Sequence, residues 1–187
     1  MRVTDGGLPG LLIIEPRVFE DSRGCFFETF HERKYAELGV RGPFVQDNFS
    51  LSVRGTVRGL HFQEPNAQAK LVMVLEGEVF DVAVDIRRGS PTFGQWFGTE
   101  LSAKNKRQLY IPPGFAHGFC VMSDQAAMVY KCTRFYSPQH EHGILWNDPA
   151  LGIRWPVSQP VLSPKDAAFK PLADMMSWLP AFPTEKP

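Results

Sequence analysis

Apolar and polar residues alternate along the middle of the chain with a period of two, which is typical of β-strands. The run KLVMVLEGEVFDVAVDI (residues 70–86) is the clearest example. In its second half the even positions from 80 to 86 are apolar, whereas the odd positions include Asp81 and Asp85. One face is therefore predicted to enter a core while the other carries two carboxylates. The Glu76-Gly77 step between the two halves predicts a β-hairpin.

Further stretches have the composition of strands and are separated by turn residues. They are Leu11–Ile14, Cys25–Phe30, Phe44–Ser50, Trp96–Leu101, Arg107–Ile111, Gly118–Met122 and Ala127–Phe135. Helical patterns are few: His31–Leu38 predicts one short helix, and Pro164–Met176 predicts another with Ser163 as its N-cap. Many short strands with a few short helices predict a mainly β fold, most simply a jelly-roll barrel or sandwich.

The 187 residues contain no internal repeat and no linker that would divide them. A single domain over residues 1–187 is therefore predicted, and this length can bury a substantial core. The Pro-rich end, residues 178–187, is predicted to form a loose tail.

Charge and composition exclude several classes of protein. The formal net charge is zero, from 20 basic and 20 acidic residues, so we expect neither a nucleic-acid partner nor a basic membrane-binding face. No apolar run is long enough to span a membrane and the N-terminus does not resemble a signal peptide, so a cytoplasmic protein is expected. The scattered Cys25, Cys120 and Cys132 argue against a disulfide framework and a structural zinc site.

The stretch RGLHFQ (residues 58–63) carries the first candidate chemistry. It sets His61 in an apolar, strand-like run with Arg58 nearby and Lys70 nine residues later. A histidine titrates near neutrality and can accept a proton, while a lysine can stabilise negative charge that develops on oxygen. Together they suit removal of a proton from a carbon beside a carbonyl group. Taken alone, His61 is more simply interpreted as a core histidine whose hydrogen bonds are satisfied, so other residues must support a catalytic role.

Two segments resemble the two motifs of the cupin superfamily: HFQ at residues 61–63 and PPGFAH at residues 112–117. The resemblance implies a small β-barrel with His61 and His117 near its mouth. Metal-binding cupins need three or four nitrogen or oxygen ligands, whereas this chain has Gln63 at the second histidine position of the first motif. We therefore expect no metal ion, with a metal-dependent cupin enzyme as an alternative.

Collinear segments over nearly the whole chain resemble the dTDP-4-dehydrorhamnose 3,5-epimerase family. They are DSRG (21–24), FVQDNFS (44–50), VRGLHFQ (57–63), QAKLV (68–72), GEVFDVAVDIRRGSPTFGQW (77–96), LSAKNKRQLYIPPGFAHGF (101–119), VYKCT (129–133), GILWNDP (143–149) and LSPKD (162–166). The resemblance implies a homodimeric, cofactor-independent cupin-type jelly roll. Its expected reaction inverts C3 and C5 of dTDP-4-dehydro-6-deoxy-D-glucose and gives dTDP-4-dehydro-L-rhamnose, an intermediate of deoxysugar biosynthesis.

The same resemblance implies roles for individual residues. His61 would accept the proton and Asp166 would orient it, Lys70 would hold the enolate oxygen, and Tyr130 would donate the returning proton. His117 and Arg58 would contact the sugar and its diphosphate. The other substrate-binding residues would be Arg23, Glu28, Gln46, Asn48, Glu141 and Lys165, with Phe19 near the base. In such dimers part of the N-terminal region reaches the partner's site, so we expect Arg23 and Glu28 to act there.

Some positions depart from the family pattern. Phe49 stands where histidine is frequent, and Arg134-Phe135 stand where Asp or Asn followed by Tyr is common. These differences leave open an enzyme that inverts only C3 or only C5 of a related nucleotide sugar. A relative that binds nucleotide sugars without turning them over is a further alternative.

Overall fold

This computed structural model describes residues 1–182, which form mostly short β-strands. The strands are β1 (Arg2–Asp5), β2 (Leu12–Glu15), β3 (Val18–Asp21), β4 (Gly24–Phe27), β5 (Gln46–Val53), β6 (Val57–Gln63), β7 (Lys70–Glu76), β8 (Glu78–Asp85), β9 (Trp96–Ser102), β10 (Gln108–Ile111), β11 (Phe115–Val121), β12 (Gln125–Cys132) and β13 (Glu141–Gly143). The helices are α1 (Glu32–Glu37) and α2 (Pro164–Ala167), with 3₁₀ turns at Pro138–His140 and Leu172–Trp178. Within residues 1–182, no helix has both the length and the apolar character needed to cross a membrane.

Two antiparallel sheets face each other. The six-stranded sheet has the order β1-β2-β10-β7-β12-β5, and the five-stranded sheet has the order β13-β6-β11-β8-β9. The hairpin β3–β4 forms a separate two-stranded sheet. Neighbouring strands often come from distant parts of the chain, as in a jelly roll. The prediction of a mainly β sandwich with a few short helices is confirmed.

Three apolar clusters hold these layers together. The first fills the space between the sheets with residues such as Val72, Leu109 and Phe119. The second packs the far side of the five-stranded sheet against C-terminal segments, and the third packs α1 against the six-stranded sheet. Both sheets are therefore largely covered on both faces near their centres, which is why the central strands are almost continuously buried.

The turn at Gly77 was predicted to close a hairpin, and this prediction is wrong. Strand β7 pairs with β10 and β12, whereas β8 pairs with β11 and β9, so the turn carries the chain from one sheet to the other. Gly77 has φ +75°, and a Cβ atom there would collide with the carbonyl oxygen of Gln125. The sharp corner therefore requires glycine both for its backbone angle and for the close approach of the neighbouring chain.

Strand β8 also differs from its predicted half-exposed form. The even positions pack in the outer cluster, and the odd positions face the space between the sheets, where Asp81 and Asp85 are 0% exposed. The carboxylate of Asp85 is satisfied by hydrogen bonds from Arg87, Ser90 and Thr92. A strand covered on both faces can bury a carboxylate only when donors or cations are built around it.

The C-terminal segments are more irregular than the predicted helix and loose tail. Only Pro164–Ala167 is α-helical, because Lys170 bridges to Ile144 in an extended conformation and Pro171 follows it. Leu179 is 2% exposed, and the backbone of Arg88 is hydrogen-bonded to Pro180 and Phe182. Residues 179–182 of the predicted tail are thus packed on the sandwich, while residues 183–187 lie outside the described part of the chain.

We expect Gly77→Ala to lower the free energy of unfolding by about 2 kcal/mol or more, because strain at positive φ adds to the collision with Gln125. Gly89→Ala is the matched control, since Gly89 has φ +85° and nothing within 4 Å of the added Cβ. This variant should lose only about 1 kcal/mol of stability, which is the cost of holding alanine at a positive φ. Urea denaturation of both variants measures the difference, and equal losses would contradict the steric role of Gly77.

Candidate active site

A cleft of about 270 Å³ is lined by residues of both large sheets. Six of the predicted site residues line it: Gln46, Asn48, His61, Lys70, Tyr130 and Glu141. They come from strands β5, β6, β7, β12 and β13, which are distant in sequence but neighbours in the sandwich. The fold therefore concentrates titratable and amide side chains in one place.

His61 and Asp166 are in direct contact although 105 residues separate them. The Nε2 atom of His61 lies 2.7 Å from Oδ1 of Asp166, and the side chains are 28% and 6% exposed. Asp166 sits in the first turn of α2, where the Ser163 hydroxyl accepts a hydrogen bond from its backbone N–H. This cap fixes the position of the carboxylate beneath the imidazole.

The charge of Asp166 determines the tautomer of His61. Burial raises the pKa of Asp166, but hydrogen bonds from His61, the Gly59 backbone and Ser163 outweigh it and leave the pKa below its ordinary value. An ionised carboxylate can only accept hydrogen bonds, so Nε2 of His61 carries the proton that it donates. The lone pair of neutral His61 is then on Nδ1, which is the atom able to accept a proton.

Lys70 begins strand β7 and is partly buried in the cleft. Burial lowers its pKa, while the nearby Cys132, Asp81 and Glu141 oppose that shift. Among the described residues, no carboxylate lies within 4.0 Å of its ammonium group. The ammonium is therefore free to interact with an oxygen of a bound molecule, with little screening by water.

Tyr130 lies close to Lys70, whose Nζ atom is 5.9 Å from the centre of the tyrosine ring. Burial raises the pKa of Tyr130, and the nearby thiol of Cys132 acts in the same direction. The phenol is therefore protonated at neutral pH and can serve as a proton donor.

His117 was predicted to contact the sugar, but it lies deeper than His61. It is paired with His61 in the register of β6 and β11, and only 5% of the residue is exposed. Its Nε2 atom is 3.0 Å from both carboxylate oxygens of Asp81. His117 and Asp81 thus form a second imidazole–carboxylate pair beside the first.

A set of polar contacts forms one wall of the cleft. Glu141 accepts hydrogen bonds from Tyr136 and Lys165, and Gln46 accepts one from the Tyr136 backbone N–H at 2.8 Å. Burial raises the pKa of Glu141, but these donors outweigh it and the pKa lies below its usual range. Glu141 and Lys165, both predicted to bind substrate, are therefore held together as an ion pair.

Sequence reasoning missed two residues of this wall. Tyr136 lines the cleft. Gln63 binds the loop that carries Tyr136, since it donates to the carbonyl oxygen of Phe135 and accepts from the backbone N–H of Ser137. The position of Tyr136 six residues after Tyr130, just beyond the strand, was the available signal. Gln63 had been considered only as a weak metal ligand.

Asp166, Lys165 and His117 adjoin residues that line the cleft. The other four predicted residues lie outside the cleft of their own chain. Arg58 is exposed and donates from Nε to Ser52 at 3.0 Å. Arg23, at the tip of the β3–β4 hairpin, pairs with Asp21 at 2.6 Å. Glu28 pairs with Lys34 at 3.0 Å, and Phe19 is 51% exposed.

To hold a metal ion, a protein site must bring several nitrogen, oxygen or sulfur ligands together. Between residues 1 and 182, no group of three or more His, Cys, Asp and Glu side chains is arranged to do so. Each of the two cupin-motif histidines has its Nε2 atom directed at a carboxylate instead.

Comparisons with known proteins give a consistent result. The family model described as dTDP-4-dehydrorhamnose 3,5-epimerase matches residues 5–174. The protein of that name from Shigella flexneri is 58% identical over 168 residues, which cover 89% of this chain and 93% of the relative. The one from Neisseria gonorrhoeae is 52% identical over 187 residues, and this chain spans 57% of its length.

A solved structure is similarly close. The crystal structure of dTDP-6-deoxy-D-glucose-3,5-epimerase from Legionella pneumophila, in complex with dTDP-4-keto-L-rhamnose, superimposes with a TM-score of 0.95. The two chains are 53% identical, and the match covers 98% of this chain and 99% of that one. The chain described here belongs to the dTDP-4-dehydrorhamnose 3,5-epimerase family.

Proposed function

We propose that this protein is an epimerase that inverts C3 and C5 of dTDP-4-dehydro-6-deoxy-D-glucose and gives dTDP-4-dehydro-L-rhamnose. The observation that carries the proposal is the His61–Asp166 contact in the same cleft as Lys70 and Tyr130. A charged nucleotide sugar does not cross membranes unaided, so we propose a cytoplasmic site of action.

The first chemical step is removal of a proton from a carbon beside the C4 ketone. Nδ1 of His61 takes this proton, and the ionised Asp166 stabilises the imidazolium that forms. Such a carbon acid is weaker than an imidazolium by roughly a dozen pK units, which corresponds to about 16 kcal/mol. The base alone cannot overcome this difference, so the negative charge on the ketone oxygen must be stabilised as well.

Lys70 supplies that stabilisation in our proposal. Its ammonium meets the C4 oxygen, where the enolate charge collects, and its partial burial strengthens the attraction. Tyr130 then returns a proton to the opposite face of the sugar, which inverts the centre. Because C3 and C5 both flank C4, one enolate-stabilising lysine serves both positions.

The polar wall and the outlying residues would bind the nucleotide. Gln46 and Asn48 offer amide groups in the cleft, while Glu141 and Lys165 form its charged edge. The guanidinium of Arg58 suits diphosphate oxygens, and we propose that it extends the site from the same strand as His61.

We further propose a homodimer in which the β3–β4 hairpin of one chain completes the site of its partner. Two observations support this arrangement: Phe19, Arg23 and Glu28 are outside the cleft of their own chain, and the hairpin pairs only with itself among the described strands. The hairpin and the edge strand β5 also expose large apolar side chains, including Phe26 at 73% and Phe49 at 64%. Contact with a second copy would cover such surfaces.

Incubation with the 4-keto sugar nucleotide in heavy water tests the reaction directly. We expect deuterium at both C3 and C5 by NMR, together with formation of the inverted product. Exchange at one carbon alone would indicate a mono-epimerase. Binding of the nucleotide sugar without exchange at either carbon would contradict an epimerase and favour a binding-only relative.

The roles of His61 and Tyr130 predict different isotope patterns. His61→Ala should reduce exchange and turnover by at least about 1,000-fold, because the base is lost, while dTDP binding persists. Tyr130→Phe should reduce product formation similarly but allow exchange with retention of configuration, because His61 can return the deuteron to the face it came from. Full turnover by either variant would rule out the role assigned to that residue.

Asp166→Asn should lower kcat by about 100- to 10,000-fold, because the amide no longer holds His61 in the proton-accepting tautomer.

The stability difference between wild type and Asp166→Asn should also depend on pH. The folded pKa of Asp166 lies below its ordinary 3.8, so its carboxylate stabilises the fold fully above that value and less as pH falls through the lowered pKa. Urea denaturation should therefore show a stability gap between wild type and variant at pH 5 that narrows at pH 2.5.

A further inference from the structure

The pair formed by Asp81 and His117 is not used in the reaction proposed above, although it occupies the interior beside the cleft. Asp81 is 0% exposed, and its two oxygens share one donor, Nε2 of His117, at 3.0 Å. The surrounding residues of the same layer, including Ala83 and Phe119, are apolar. A carboxylate in such a place needs a specific reason.

The register of the strands aligns this pair with the candidate base. His117 on β11 is paired with His61 on β6 and, on its other side, with Ala83 on β8. Asp81 lies two residues from Ala83 and therefore on the same face of β8. His61, His117 and Asp81 thus form a row across three neighbouring strands of one sheet, which faces the sheet that carries Lys70.

The negative charge of Asp81 is not neutralised within this row of side chains. Burial lowers the pKa of His117, and although Asp81 opposes this effect the pKa stays below its ordinary value, so the imidazole is neutral at physiological pH. Among residues 1–182, no lysine or arginine group lies within 4.0 Å of the Asp81 carboxylate. The pair is therefore anionic within an apolar layer, where an uncompensated charge is costly.

Lys70 is a cation that lacks a paired anion. Its ammonium is partly buried without a carboxylate in contact, and Asp81 and Glu141 are the carboxylates that favour its charged form. Glu141 is already engaged by Lys165 and Tyr136, which leaves Asp81 as the carboxylate whose negative charge is least neutralised by its own contacts.

We propose that Asp81 is a positioning residue of this site: it supplies the negative charge that keeps the Lys70 ammonium protonated, and it fixes the tautomer of His117. The first effect acts across the space between the two sheets, without direct contact. The second effect follows because Nε2–H of His117 is committed to Asp81, which leaves Nδ1 as a hydrogen-bond acceptor.

The titratable groups that face Lys70 come from five strands: His61 on β6, Asp81 on β8, His117 on β11, Tyr130 and Cys132 on β12, and Glu141 on β13. Asp81 is the fully buried carboxylate of this set, so its effect on Lys70 is the least screened by water and salt.

The proposal deepens the proposed function, since a protonated Lys70 matters most if it stabilises an enolate, but its test needs no substrate. The ammonium of Lys70 is titrated by NMR in protein labelled at the lysine ε-carbon, with the signal assigned by its disappearance in Lys70→Arg. Asp81→Asn keeps the shape and an oxygen acceptor for His117 but removes the charge. We expect Lys70 to titrate lower by on the order of one pH unit in this variant.

Asp85→Asn is the matched control, because Asp85 lies on the same strand, is equally buried, and uses its charge on Arg87. It should destabilise the fold without moving the titration of Lys70. An unchanged titration in Asp81→Asn, or an equal shift in Asp85→Asn, would overturn the proposal.

His117→Asn provides a second arm should Asp81→Asn fail to fold. It keeps the carboxylate and removes the imidazole, so Lys70 should titrate at the wild-type pH or above it; titration clearly below would overturn the proposal.

With active enzyme, Asp81→Asn should also move the alkaline limb of the plot of kcat against pH to lower pH, while the Kd for dTDP stays unchanged. Absence of epimerase activity in the wild type would refute the proposed function but leave the NMR result interpretable.

Discussion

The hydrogen bond between His61 and Asp166 is the contact on which the organisation of the site depends. It joins the central part of a barrel strand to a short helix from the C-terminal region, across 105 residues of sequence. The local packing serves this contact: Phe169 lies edge-on to His61 at 5.6 Å, and the space for its ring exists because the β13 residue opposite His61 is Gly143. A side chain at Gly143 would displace Phe169 and with it the end of the helix that carries Asp166.

The interior of the sandwich has an apolar region that stabilises the fold and a polar region that borders the cleft. Most of the layer between the sheets is apolar and closely packed, yet near the cleft the same strands turn Asp81, His117 and Lys70 inward. Burial disfavours charged groups, so Asp81 is paired with His117, while Lys70 depends on nearby carboxylates that are not in contact with it. The apolar clusters on both sides stabilise the strands enough to hold those groups in fixed positions, which is what a preorganised electrostatic site requires.

Local sequence patterns predicted where strands begin and end much better than which strands pair with each other. Strand-like composition between turn residues located β9 and β10 to within one residue at each end, because strand propensity is a property of the segment itself. The turn signal at Gly77 was misleading, since a tight turn between two strands looks alike whether the strands pair or separate into two sheets. The pairing of His61 with Asp166 came only from the resemblance to a family, because a contact across 105 residues leaves no trace in local spacing. Tyr136 was missed although its position just beyond the strand of Tyr130 was a usable signal, because a tyrosine in a loop is usually a surface residue.

The departures from the family pattern lie where they leave the proton-transfer groups unchanged. Phe49 is 64% exposed on the outward face of β5, and Phe135 is 70% exposed beside Arg134 in the loop after β12. Within residues 1–182, these three side chains do not line the cleft, whereas His61, Lys70 and Tyr130 do. Substitutions at such positions can change what approaches the cleft without altering the geometry inside it. Gln63 donates to the backbone carbonyl oxygen of Phe135 and does not bind its ring. The side chain at this position can therefore vary while the backbone that positions Tyr136 is retained.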